Sequence, residues 1–115
     1  MKVFVLYEEV DNKFGSVVEV KEAFLREVPK EKENELFVCF DIDFDDKPIE
    51  AHLVIAKSKT SRPWGKQNGE EIISAYETEK QAKINAKKIV SGNTDFMDED
   101  KKILSVRLDK VLLKE

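Results

Sequence analysis

Between residues 36 and 44 the chain alternates without interruption. Leu36, Val38, Phe40, Ile42 and Phe44 fall on one side, and Phe37, Cys39, Asp41, Asp43 and Asp45 on the other. A period of two sets five large apolar side chains on one face of a strand, which a second layer must then cover. The rest of the chain supplies partners for such a sheet. Residues 3–7 (Val-Phe-Val-Leu-Tyr) are β-branched or aromatic on both faces, as a central strand requires. Asp11-Asn-Lys-Phe-Gly15 is turn chemistry, and a strand over 17–20 is expected to return beside the first. The segment 16–28 also has a helical reading. Ser16 and Glu19 match a capping box, and Val17, Val20, Phe24 and Val28 recur at helical spacing.

Asp45-Asp-Lys-Pro48 reads as a turn into a strand over 49–56, with Ala51, Leu53 and Ile55 on one face. The strands at 36–44 and 49–56 read as a hairpin. A strand at 72–76 follows. Thr78 and Gln81 then form a second capping-box signature, and Ala82, Ala86, Ile89 and Val90 make the stripe of a helix near residues 79–91, with Gly92 as C-cap. Residues 103–113 close the chain as a strand with Leu104, Val106, Leu108 and Leu112 on one side. At 115 residues the chain is expected to form a single domain over 1–115. The element order gives an α+β class: a mostly antiparallel sheet, able to curl into an open barrel, with one main helix on a face.

Much chemistry is excluded by what is missing. One cysteine and one histidine cannot build a disulfide framework or a four-ligand zinc site. Cys39 and His52 would neighbour each other if the hairpin paired in its simplest register, yet nothing near Cys39 in sequence would activate a thiol. Asp41, Asp43 and Asp45 echo the start of a calcium loop, but Asp46 stands where its glycine belongs and His52 where its glutamate belongs. On a strand they form a solvated row about 7 Å apart. Gly65-Lys-Gln-Asn-Gly69 lacks the spacing of a phosphate-binding loop. The chain reads as non-enzymatic, with no cofactor and no metal. No apolar run suits a signal sequence or a bilayer span, and a cytoplasmic protein is expected.

One segment opposes the charge of the whole. Residues 57–69 carry Lys57, Lys59, Arg62 and Lys66, no acid, and the single tryptophan, Trp64; with those four cations set aside, a net −4 becomes −8. Read as a loop between strands, it is either a solvated connection with Trp64 folded onto the core, or a binding surface. In the second case the cations meet phosphate oxygens and Trp64 stacks on a base. The overall acidity favours a nucleotide or a short single-stranded nucleic acid over duplex DNA.

The rival surface is acidic. Asp41, Asp43, Asp45, Asp46, Glu50 and the cluster Asp95, Asp98, Glu99 and Asp100 could face a basic host protein, with Phe96 and Met97 as apolar anchors. Exposed strand edges also make a homodimer an expectation. The closing strand–helix–strand, from Ile72-Ile-Ser-Ala-Tyr-Glu-Thr-Glu-Lys-Gln-Ala-Lys through Val111-Leu-Leu, resembles the ends of many small phage- and plasmid-encoded bacterial proteins. That resemblance covers about the last third of the chain. It implies an accessory protein of a mobile element, a class that includes regulators and inhibitors of host defence. It carries over no site residue.

Overall fold

The structure is a computed structural model describing residues 1–12, 15–62, 65–90 and 101–115, with the side chains of residues 12, 60–62, 65–68, 101 and 102 outside the description. Six strands and one helix follow in the order β1 (Lys2–Asn12), β2 (Gly15–Leu25), β3 (Phe37–Asp41), β4 (Glu50–Arg62), β5 (Gly65–Tyr76), α1 (Glu79–Val90) and β6 (Lys101–Lys114). They form one mixed sheet in the order β3-β1-β2-β5-β4-β6, the α+β architecture that the alternation demands.

Antiparallel pairing dominates. β1 pairs with β2 from Val3↔Leu25 to Asn12↔Gly15, and with β3 from Lys2↔Asp41 to Leu6↔Phe37. β4 lies between β5 and β6 and is antiparallel to both. The two halves meet along β2, which makes one parallel pairing with β5, Ser16↔Gly69, and two with β6, Ala23↔Leu113 and Phe24↔Lys114. Strands β2, β5, β4 and β6 therefore make a partial ring.

One apolar layer fills it and a second lies against its outer face. Inside, Val3, Val5, Val18, Leu53, Ile55 and Ile72 are buried with Ile42 and Val111, while Val38, Phe40 and Phe44 pack against them. On the other face of β4, Val54 is buried with Ala82 and Ile89 of α1, and Val106 and Leu108 pack against that group. This double cover explains why Leu53, Val54, Ile55 and Ala56 are consecutive, apolar and fully buried. Each large aliphatic side chain among them contributes about 1.5–3 kcal/mol on burial.

The second capping box forms as the sequence indicates. Thr78 N–H donates to Gln81 Oε1 at 3.3 Å, and Gln81 N–H donates to Thr78 Oγ1 at 3.2 Å. Gly92 lies outside the described residues. The first capping-box signature fails, because Ser16 and Glu19 stand within β2, which stays extended through Leu25. Its apolar residues gain more from the β1 ladder and the core than an isolated helical turn could return.

The expected hairpin of 36–44 with 49–56 also fails. β3 pairs with β1 instead, so that Val38 and Phe40 stand opposite Val5 and Val3. β3 stops at Asp41, and the chain then crosses to the other half of the sheet before β4. Ile42 is still buried, but Leu36 is half exposed. In β6 the even residues Val106 and Leu108 face the helix layer, while Leu104 and Leu112 are exposed. Val111, on the opposite side, enters the core.

Candidate functional site

The basic segment is not a loop. Its residues continue β4 to Arg62 and open β5 at Gly65, paired as Lys57↔Glu70, Lys59↔Asn68, Ser61↔Lys66 and Arg62↔Gly65. The polar run Ser-Lys-Thr-Ser reads as a connection by composition. It is extended because β6 runs along its other side, pairing Ser58↔Ile103, Lys59↔Lys102 and Thr60↔Lys101. Lys57 and Lys59 are partly exposed. Arg62 and Lys66 have described backbones only, and Trp64 lies outside the described residues, as do Pro63 and the acids Asp95, Asp98, Glu99 and Asp100.

Sequence spacing alone misses Lys101 and Lys102. They are about forty residues from Lys59 in the chain, and only the β4–β6 register brings them beside it. The signal available was the closing strand itself, whose first residues are both lysine.

At the root of this basic end, Glu70 and Arg107 clasp β2. Arg107 Nε and Nη2 donate to Glu70 Oε2 and Oε1 at 2.9 and 3.1 Å. Arg107 Nη2 also donates to the Val18 carbonyl at 2.7 Å, and Val18 N–H donates to Glu70 Oε1 at 3.1 Å. The pair thus supplies Val18 with the donor and acceptor that a neighbouring strand would have given. The Glu70 side chain is 10% exposed and that of Arg107 40%. Burial pushes the Glu70 carboxyl upward, but the Arg107 guanidinium, the Val18 N–H and Lys57 outweigh it and hold it below its usual range. Nearby, Ser16 and Gly69 approach so closely that a Cβ on Gly69 would lie 3.0 Å from Ser16 Oγ.

A second charged group sits at the far end of β2. Glu22 pairs with Lys32 and, at 3.4 Å, with Lys114; Lys32 lowers the Glu22 carboxyl pKa. Lys32 also lies 5.7 Å from the Phe24 ring centroid, holding the connector between β2 and β3 against the sheet. A cleft of about 320 Å³ lies beside it, lined by Phe24, Leu25, Arg26, Glu27, Pro29 and Glu115.

The remaining candidates separate. The expected aspartate row does not form, because only Asp41 belongs to β3. Asp41 pairs with the N-terminal ammonium at 3.5 Å, Asp43 is exposed, and the Asp45 and Asp46 amides both donate to Glu77 Oε2. Phe96 and Met97 lie outside the described residues. Cys39 and His52 are not neighbours: β1, β2 and β5 lie between their strands in the sheet order. His52 Nε2 instead approaches Glu50 Oε1 at 3.4 Å. Among the described residues no group of three His, Cys, Asp or Glu side chains could hold a metal ion, and no helix is long and apolar enough to cross a membrane. Comparison with protein-family models, with curated proteins and with solved structures gave no match.

Proposed function

We propose that this is a non-enzymatic binding protein whose basic end takes a phosphate-bearing ligand, a nucleotide or a short single-stranded nucleic acid. The observation that supports this reading is the register of β4 with β6, which sets Lys102 beside Lys59 and Lys101 beside Thr60. Like charges on adjacent strands repel one another, so a cluster of them is costly until an anion arrives. Glu70 stands opposite Lys57 and offsets part of that charge, while Arg107 engages both its oxygens.

Lys57, Lys59, Arg62, Lys66, Lys101 and Lys102 provide the cations, and Trp64, between β4 and β5 in the sequence, provides a stacking surface. Phosphate oxygens would be met by the ammonium and guanidinium groups, and a base by the indole. The test is a titration of nucleotides and short oligonucleotides followed by Trp64 fluorescence. Binding that perturbs the emission and weakens about tenfold or more in Lys59→Glu/Arg62→Glu is expected. Unchanged emission, or equal binding by the variant, contradicts the reading.

A further inference from the structure

The outer edge of β3 leaves backbone groups without partners among the described residues. Met1 and Ile42 exchange two hydrogen bonds of 3.0 Å, and Tyr7 N–H donates to the Leu36 carbonyl at 3.1 Å. Bonded positions alternate in an antiparallel pair, so Val38 and Phe40 also bond to β1. Phe37, Cys39 and Asp41 must then turn their N–H and C=O groups away from it. β3 ends the strand order, and the side chains of these same three residues are exposed. Its register with β1 is unbroken, and it holds no lysine, proline or bulge to blunt the edge.

Charge decides what fits there. A second copy, paired antiparallel about Cys39, would set Phe37 opposite Asp41 and bring Glu35 against Asp43 at both ends. Those like-charge meetings disfavour self-pairing. An extended segment with lysine or arginine at its ends and small or apolar residues between them meets Glu35 and Asp43 with opposite charge instead, while Asp41 keeps the N-terminal ammonium. We propose that β3 accepts a basic, extended peptide segment of a partner protein as a seventh strand, through the outward backbone groups of Phe37, Cys39 and Asp41. This surface is independent of the basic end.

The blocked peptide Lys-Val-Thr-Val-Thr-Val-Lys is the probe, read by NMR on the whole chain. Added peptide is expected to protect the Phe37, Cys39 and Asp41 amides from solvent exchange, with binding that weakens as salt rises. Cys39→Pro removes one outward donor and leaves the β1 ladder intact, which continued protection of the Val38 and Phe40 amides verifies. It should weaken binding about tenfold or more. Should that variant not fold, a peptide N-methylated on alternate amides, titrated against the unaltered protein, must bind equally poorly. The proposal is overturned by absence of binding, by binding indifferent to N-methylation, or by protection elsewhere. It is also overturned if the chain alone protects these amides by self-association.

Discussion

Arg26 follows β2 with φ at 71°, a left-handed conformation that L side chains adopt at a cost. Its N–H donates to the Lys2 carbonyl, and the Glu27 N–H donates to the Leu25 carbonyl, so backbone bonds hold the bend that ends β2. Since the Arg26 side chain is exposed, Arg26→Gly is expected to raise stability by about 0.5–1 kcal/mol in urea unfolding. A loss would show that the guanidinium has a structural partner. The Glu70 carboxyl gives a prediction in pH. Its folded pKa lies below the ordinary glutamate value of 4.5, so the unfolded chain takes up the proton first as pH falls. The stability the clasp contributes is therefore complete above about 4.5 and erodes as pH drops through the lowered folded value. Glu22 is shifted in the same direction, so the informative quantity is the difference between the protein and Glu70→Gln. That variant should show a shallower decline on the acid side, and an identical slope would place the acid sensitivity elsewhere.

At the scale of elements, the capping box of α1 makes a direct prediction. Thr78→Ala removes the acceptor for the Gln81 N–H and should cost about 1 kcal/mol, because α1 is what covers Val54, Val106 and Leu108. Arg107→Ala should cost about 1–3 kcal/mol by leaving the Val18 carbonyl without its donor and the Glu70 carboxylate with the Val18 N–H but no guanidinium. It should also raise exchange at the Val18 amide, since the clasp occupies a stretch where β2 has no ladder to β5 or β6. The elements were legible in the sequence wherever periodicity and caps agreed: β1, the core of β4, α1 from Thr78 onward, and β6. Pairing was less legible. The alternation of 36–44 gives a strand but names no neighbour, and the β1 edge competes for it against β4 through contacts remote in sequence. Residues 57–62 and 65–69 read as a loop because polar composition resembles one, while the β6 register that keeps them extended lies some forty residues away. The clasp was invisible for the same reason: Glu70 and Arg107 meet only because β5 and β6 both close onto β2, where each bonds to Val18.

For the whole molecule, charge separation organises the account. The net charge is −4, yet cations gather where β4, β5 and β6 run together, and acids gather around β3 and the crossing after it. Fold class follows from hydrophobic alternation, but the basic end depends on register, so it takes tertiary structure to show that Lys101 and Lys102 join Lys59. The most direct test is the salt dependence of binding to a short single-stranded DNA oligonucleotide, compared between the protein and Lys59→Glu/Lys102→Glu. Each lost phosphate contact should reduce the slope of log K against log salt by about 0.7, so the double variant should be flatter by about 1.4 and weaker at low salt. Equal slopes and equal affinities for the two proteins, or no binding by either, would contradict the assignment of this end to a phosphate-bearing ligand.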